Sequence, residues 1–347
     1  MRTTTAWQSR DNSTALERVS IERRDLRDDD IAVRVDYCGV CHSDLHAIHG
    51  LMNKPTDGLV PGHEFTGTVT ATGPAVTGFA VGDLVAAGTV IDSCGVCAMC
   101  QVGQENFCYQ GPTTTYGGTD RVDGTTTKGA YSREYVLREK FAYHLPAGLD
   151  PAAAAPLLCA GITMWEPLQA AGIGPGSRVA VAGLGGLGHL GVKLAAALGA
   201  EVTVLSRTPD KAADARRLGA TDLLLTTDDD QMKQALGRFD LILDTIAAQH
   251  DFSPLLRLLA LEGTLSVLGA PLETSVKIME LTFGRKNLTS SGTGGTKHTA
   301  ELLTFCAEHG ITADIELLPS AQVSDALGRL EKGDVRYRFV LDLSDLS

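Results

Sequence analysis

The tightest constraint on the fold is a glycine run set between a short apolar strand and a helix. Val179-Ala180-Val181-Ala182 leads into Gly183-Leu184-Gly185-Gly186-Leu187-Gly188, and an apolar-periodic segment over 187–198 stops at Gly199. A G-x-G-x-x-G pattern alone carries little weight, but one that leaves a buried strand and opens a helix describes a β–turn–α corner built for a dinucleotide. Gly183 permits the tight turn, Gly185 lets a pyrophosphate approach the backbone, and Gly188 lets the helix pack on the strand. The free N–H groups of the helix N-terminus favour the phosphate charge. Apolar strands at 202–205, 223–225, 241–243 and 264–268 follow, with helical segments at about 209–218 and 252–260. This alternation predicts an α/β, doubly wound parallel sheet. The competing reading is a glycine-rich turn in a flavodoxin-like sheet.

The second strand of such a unit ends at the ribose. An acid there would bond both ribose hydroxyls and repel a 2′-phosphate. This chain instead has Ser206-Arg207 with Lys211 close behind, and no acid between Val202 and Pro209. A hydroxyl and a guanidinium suit the 2′-phosphate of NADP through charge-assisted hydrogen bonds. The plain alternative for Arg207 and Lys211 is a solvated helix start.

The first 150 residues have a different texture. Ile31-Ala32-Val33-Arg34-Val35-Asp36-Tyr37 alternates as a half-buried strand, and 65–71 has strand composition before Gly73-Pro74. Short strands between Gly and Pro turns predict a β-rich domain, and 111–130, rich in Gly and Thr, reads as a long functional loop. The last fifty residues return to mixed elements, with helices at 299–308 and 324–331 and a strand at 338–341. The length of 347 residues gives about two domains. Hydrophobic residues at 44% provide a core, and a net charge of −12 argues against a nucleic-acid or anionic-membrane surface. No apolar run approaches the ~18–20 residues of a membrane span, and the first ten residues lack an apolar signal core. A cytoplasmic location is expected.

In a reducing compartment, eight cysteines point to metal or catalysis rather than disulfides. Cys94, Cys97, Cys100 and Cys108 supply four thiolates within fifteen residues, a set that closes tetrahedrally around one Zn²⁺ and leaves no position for substrate. An iron–sulfur cluster is the alternative. A second, dispersed set comprises Cys41 in Cys-His-Ser-Asp, His63 in Pro-Gly-His-Glu, and Cys159 in Leu-Leu-Cys-Ala-Gly. Two thiolates and one imidazole would leave a fourth position open, as in a catalytic zinc site. Spacing does not bring the three together, and Cys159, like Cys38 and Cys306, reads equally as a buried apolar filler.

Together these segments resemble the zinc-dependent alcohol dehydrogenases of the medium-chain dehydrogenase/reductase superfamily, in the cinnamyl alcohol dehydrogenase-like branch. The matching residues are Cys38-Gly39-Val40-Cys41-His42-Ser43-Asp44-Leu45-His46, Pro61-Gly62-His63-Glu64 and the cysteines at 94–108. They continue with 156–163, 183–188, Gly284-Arg285-Lys286 and 334–340, in family order over nearly the whole chain. The resemblance implies a GroES-like β-rich catalytic domain made of 1–155 and 290–347, with a structural zinc lobe at 92–110. A Rossmann NADP-binding domain, 156–289, lies between these segments. It implies that Cys41, His63 and Cys159 bind the catalytic zinc, with Glu64 as a neighbouring group or transient ligand and Asp44 orienting His63. Ser43 and His46 match a proton relay, for which imidazole titrates in the right range. Leu51 stands where some plant relatives carry a further acidic relay group. Thr163 and Leu187 match residues beside and behind the nicotinamide, and His42 a phosphate contact. Arg338 pairs with Glu64 or with the pyrophosphate. The plain readings are a surface histidine for His46 and ordinary helix packing for Leu187.

The function so implied is reversible reduction of aldehydes, whether aromatic, unsaturated or aliphatic, to primary alcohols with NADPH. Around Thr113-Thr114-Thr115-Tyr116 there is no tryptophan where plant relatives often place a pocket wall, which argues against a phenylpropanoid as the natural substrate. The alternative is NADPH-dependent reduction of an imine or activated alkene. A non-catalytic protein on the same fold is a third reading, against which every zinc ligand and the relay hydroxyl are present. The expected partners are a small aldehyde or alcohol and a second copy of the chain in a homodimer, with a tetramer as the alternative. Neither nucleic acid nor membrane is expected.

Overall fold

The computed structural model describes residues 1–51, 58–269 and 274–346. Two compact units emerge: Met1–Cys159 with Gly295–Ser347, and Ala160–Gly294.

The first unit begins with an antiparallel pair, β1 (Arg2–Gln8) and β2 (Glu17–Arg23). It continues with β3 (Asp30–Val40), β4 (Phe65–Thr72), β5 (Leu84–Ala87), β6 (Val90–Asp92), β7 (Thr113–Thr114), β8 (Glu134–Arg138) and β9 (Ala142–His144). Strand β3 organises the unit. It pairs antiparallel with β4 and β8 and, at its far end, with the C-terminal strand at 338–342. At Ala32, β3 is more buried than its alternation predicts. Ile31, Ala32, Val33 and Val35 are all buried, and Arg34 is the exposed exception. The core around β3 includes Phe65, Tyr131, Tyr135, Phe141 and Phe339. The loop at 111–130 contributes only β7, which pairs with β6, and a bridge between Thr119 and Thr126.

The second unit holds β10 (Arg178–Ala182), β11 (Glu201–Ser206), β12 (Asp222–Leu225), β13 (Phe239–Asp244), β14 (Leu259–Val267) and β15 (Asn287–Ser290). All pairs are parallel, in the order β12-β11-β10-β13-β14-β15. Strands β10 and β13 are buried on both faces, as a sheet covered by helices on each side requires. The helix expected over 252–260 stops at Leu258. Leu259 already pairs with Phe239, so sheet hydrogen bonds take the last two residues. The chain returns to the first unit through the helix Thr296–His309 and ends with β16 (Ile315–Pro319) and β17 (Arg338–Asp342), which pair parallel. Among the described residues no helix is long and apolar enough to cross a membrane.

Candidate active site

Strand β3 delivers its last buried residues directly to Cys41, the N-cap of helix α1 (His42–Ile48). Asp44, in the first turn of α1, is fully buried and saturated with donors. Its Oδ2 accepts the Cys41 N–H at 3.0 Å and the Tyr131 hydroxyl at 3.0 Å, and its Oδ1 accepts the Gly62 N–H at 3.0 Å. His63 also bonds it, with Nδ1–H donating to Oδ1 at 3.0 Å. Gly62 makes the turn that aims His63: its φ is 96°, and a Cβ there would lie 2.5 Å from the Tyr131 ring.

With Nδ1 committed to Asp44, Nε2 of His63 points at Cys159, 3.2 Å from its Sγ. Cys41 Sγ lies 3.8 Å from Cys159 Sγ. The donor atoms of Cys41, His63 and Cys159 all fall within 4.8 Å of one another, and all three residues are buried. Zn–S bonds of ~2.3 Å in a tetrahedron put sulfurs ~3.8 Å apart, so the set fits a zinc ion. Electrostatics agree. Burial alone would lower the His63 pKa, but the Asp44 carboxylate reverses this and holds it well above its ordinary value. What favours a proton on Nε2 also favours a metal cation there. The Cys41 thiol is held well below its ordinary value by its hydrogen bond with Cys159, against the effect of burial.

Glu64 follows His63 into β4 and is buried against Arg338 of β17, which donates through Nη2 to Glu64 Oε1. Burial pushes the Glu64 carboxyl up to about 7, against the opposing pull of Arg338. A Cβ on Gly39 would lie 2.3 Å from Glu64 Oε1, so the glycine between Cys38 and Val40 makes room for this carboxyl. Of the two partners expected for Arg338, the structure places it on Glu64.

Ser43 and His46 both lie on α1. The Ser43 hydroxyl is 3.7 Å from Cys41 Sγ, and His46 is half-buried one turn further on. No hydrogen bond joins the two directly. His42 is exposed at the start of the helix.

The four remaining ligand candidates gather separately. The Sγ atoms of Cys94, Cys97, Cys100 and Cys108 lie within 4.8 Å of one another, with Cys97–Cys100 at 3.5 Å and Cys94–Cys100 at 3.9 Å. This is the spacing of one tetrahedral ion and fits zinc. N–H groups already point at the sulfurs, from Cys97 to Cys94 at 3.4 Å and from Cys94 to Cys108 at 3.5 Å. Backbone hydrogen bonds involving Tyr109 and Cys100 hold the Cys97 thiol down to about 6. Glu105 ties this lobe to the rest of its unit: its carboxylate accepts the N–H and hydroxyl of Thr296 and pairs with Lys140 at 2.9 Å.

In the second unit, Gly183 turns the chain at φ 90°. A Cβ on Gly188 would sit 2.0 Å from the Gly183 carbonyl oxygen, whereas one on Gly185 would meet nothing within 4 Å. Gly188 is therefore needed for packing, and the space before Gly185 is open for a pyrophosphate. Gly186 and Leu187 are half-buried in the same turn. A cavity of about 550 Å³ lies at the carboxyl ends of the strands, lined by Gly183, Leu184, Ser206, Arg207, Thr208 and Lys211 among others. Ser206 Oγ donates to the Thr208 carbonyl at 2.8 Å, and Lys211 Nζ to the Leu184 carbonyl at 3.3 Å, so both ends of the basic corner are fixed to backbone. Thr163 is buried and gives its hydroxyl hydrogen to the Gly292 carbonyl at 3.0 Å.

The sequence matches the alcohol dehydrogenase GroES-like domain family over residues 27–147 and the zinc-binding dehydrogenase family over 186–308. A probable cinnamyl alcohol dehydrogenase 6 of Arabidopsis thaliana is 45% identical over 98% of this chain and 94% of its own. The chain belongs to the zinc-dependent alcohol dehydrogenases. Within that family, an NADP-dependent alcohol dehydrogenase C of Mycobacterium bovis is 43% identical over the full length of both chains. The solved structure of a cinnamyl alcohol dehydrogenase from Sorghum bicolor superposes with a TM-score of 0.95 at 42% identity, over 98% of each chain. The alcohol dehydrogenase described here falls in the cinnamyl alcohol dehydrogenase-like branch of the medium-chain superfamily, with the GroES-like and Rossmann-type folds expected of it. It is an oxidoreductase that acts on CH–OH groups.

Two residues of this alcohol dehydrogenase's site escape sequence reasoning. Tyr131 bonds Asp44 from 87 positions away, and no spacing rule connects them. Tyr116 sets its ring edge-on to His63, with centroids 5.5 Å apart. It lies in the loop singled out as functional, but nothing local marks it as facing a ligand.

Proposed function

We propose that Cys41, His63 and Cys159 hold a catalytic zinc, that Cys94, Cys97, Cys100 and Cys108 hold a structural one, and that the chain interconverts aldehydes and primary alcohols with NADP(H). The observation that carries this is the contrast between the two donor sets: one supplies four protein ligands and the other three, backed by a buried carboxylate. When bound, zinc polarises a carbonyl as a Lewis acid and NADPH supplies the hydride.

The chain's own residues do the rest. Asp44 fixes the His63 tautomer and ring orientation, which keeps Nε2 a lone-pair donor. Ser43, beside Cys41, donates the proton that the product alcohol needs, and His46 exchanges it with solvent. Because the two do not touch, a hydroxyl or a water completes the path between them. Glu64 is a positioning group held by Arg338, and it would serve as a ligand to the zinc only if that bond opened.

Gly183, Gly185, Gly186 and Gly188 receive the pyrophosphate at the helix N-terminus. Ser206, Arg207 and Lys211 read the 2′-phosphate, whose charge the missing acid would have repelled. Thr163 and Leu187 pack beside the nicotinamide, and His42 contacts a phosphate. On this reading the first unit is the catalytic domain and the second the cofactor-binding one, with boundaries four to five residues beyond the expected 155 and 289.

Two assignments concern the cell. Eight free cysteines support a reducing, cytoplasmic location. The outer edge of β15, with Ile278, Met279 and Phe283 exposed nearby, supports a homodimer that covers it. The test of the catalytic reading is NADPH consumption with a panel of aromatic, unsaturated and aliphatic aldehydes. Activity that a chelator abolishes and zinc restores supports it. No turnover of any aldehyde by zinc-loaded protein contradicts it.

A further inference from the structure

The strand order β12-β11-β10-β13-β14-β15 reverses its winding between β10 and β13, and open sheets of this kind bind ligands outside the carboxyl ends at that switch point. Strand β13 ends there in an acid, Asp244, which is fully buried. Across the ladder it faces Ala182, the residue before Gly183. An uncompensated carboxylate at this place opposes an anionic dinucleotide. The chain supplies a counterpart six residues later. His250 Nε2 lies 3.1 Å from Asp244 Oδ2, and His250 lines the same cavity as Ser206, Arg207 and Lys211. Both facing atoms are buried, and neither makes a hydrogen bond: they meet only at ion-pair distance.

Counting hydrogens defines the pair. Nδ1 of His250 sits 2.9 Å from the Ala248 carbonyl oxygen, which only accepts, so Nδ1 carries a hydrogen. Asp244 Oδ1 accepts the N–H of Ile246 at 3.1 Å. Nε2 and Oδ2 lie at ion-pair distance, where a carboxylate and an imidazole lone pair repel unless the pair holds one proton. The pair is then imidazolium with carboxylate or imidazole with carboxylic acid, and it has no net charge in either form. The Phe252 ring, edge-on at 4.9 Å, fixes the plane of the imidazole.

We propose that His250 is a positioning residue of the cofactor site: it cancels the charge of Asp244 at the switch point and anchors the segment 245–251, so that this wall of the cavity accepts an anionic dinucleotide. The proposal rests on the NADP(H) reading. It predicts that the damage done by losing His250 is electrostatic and is repaired by neutralising Asp244, which a purely structural role does not predict.

The experiment measures the dissociation constant of NADPH for the intact zinc-loaded enzyme at about pH 6.5, which is near the ordinary imidazole value and above the ordinary carboxyl range. The proteins compared are the wild type, His250→Phe, Asp244→Asn and the double variant. His250→Phe keeps an aromatic ring beside Phe252 but strands the Asp244 charge, and binding weakens about tenfold or more. The loss falls on the cofactor KM rather than on kcat. The double variant recovers most of that loss, and Asp244→Asn alone costs no more than about threefold, because its amide oxygen still accepts the Ile246 N–H. A double variant as weak as His250→Phe, or a His250→Phe protein that binds like wild type, overturns the proposal. If His250→Phe fails to fold, Asp244→Asn decides alone, and a tenfold loss there counts against the charge account. Wild-type enzyme that does not bind NADPH overturns the cofactor reading itself, and this is seen before any variant is made.

Discussion

Asp44 Oδ1 accepts the Nδ1–H of His63 at 3.0 Å, and both residues are buried. One carboxylate thereby sets the direction in which the imidazole's other nitrogen can act, and Tyr131, Gly62 and Cys41 hold that carboxylate in place from three separate segments.

Asp44→Asn tests this orientation. The amide cannot serve all four donors that the carboxylate serves, so His63 loses its fixed tautomer. Zinc at Cys41, His63 and Cys159 is expected to bind ~10–100-fold more weakly, the usual scale for a group behind a metal ligand. Release of zinc to a chromogenic chelator measures it, with the four-cysteine site as internal control. Release from Asp44→Asn no faster than from wild type would reject the orienting role.

Ser43→Ala removes the hydroxyl beside Cys41 and leaves the backbone of α1 intact. Aldehyde turnover is expected to fall about 10²-fold, the scale of general acid help, with zinc content unchanged. An unchanged kcat would show that the proton arrives by another route.

Arg207→Glu reverses the charge in the corner lined by Ser206 and Lys211. The ratio of kcat/KM for NADPH over NADH should drop by roughly 10–100-fold, since a charge-assisted phosphate contact gives way to repulsion. A wild-type enzyme that uses NADH as well as NADPH would contradict the assignment outright.

Glu105 gives the stability a signed pH dependence. Burial alone would raise its pKa, but the Thr296 N–H and Lys140 more than offset this and hold it below the ordinary carboxylate value. A depressed pKa means that the contribution is complete above the unfolded value of about 4.5 and is lost as pH falls through the lower folded value. Glu105→Gln should cost about 1–2 kcal/mol near neutral pH, from its charge-assisted hydrogen bonds. It should also make the loss of stability between about pH 5 and pH 3 shallower. Denaturant titrations at the two ends of that range measure both effects, and parallel curves for the two proteins would refute it.

Much of the architecture was legible because it rests on local rules. The glycine run after β10 needs no tertiary information: Gly183 turns, Gly188 packs, and the parallel sheet follows from the alternation around them. The four clustered cysteines were equally plain. What local rules do not carry is long-range partnership. The alternation in Ile31 to Tyr37 suggested one buried face, but Ala32 on the other face is buried as well. Helix periodicity continued past Leu258, and only the Phe239 pairing ended it. Spacing alone left Cys159 readable as a buried thiol, and only the family resemblance marked it as a ligand; the fold sets it 3.2 Å from His63 Nε2. Tyr131 and His250 stayed silent because neither lies in a motif: Tyr131 meets Asp44 from 87 positions away, and His250 meets Asp244 only across a turn that no pattern marks.

The most direct test of the central claim is zinc content measured together with NADPH-dependent aldehyde reduction for wild type and Cys159→Ser. The account predicts about two zinc ions per wild-type chain and about one in the variant. The remaining ion should be held by the four-cysteine lobe, the fold should be intact, and aldehyde turnover should be lost. A Cys159→Ser protein that carries only that one ion and still reduces aldehydes at the wild-type rate would contradict it.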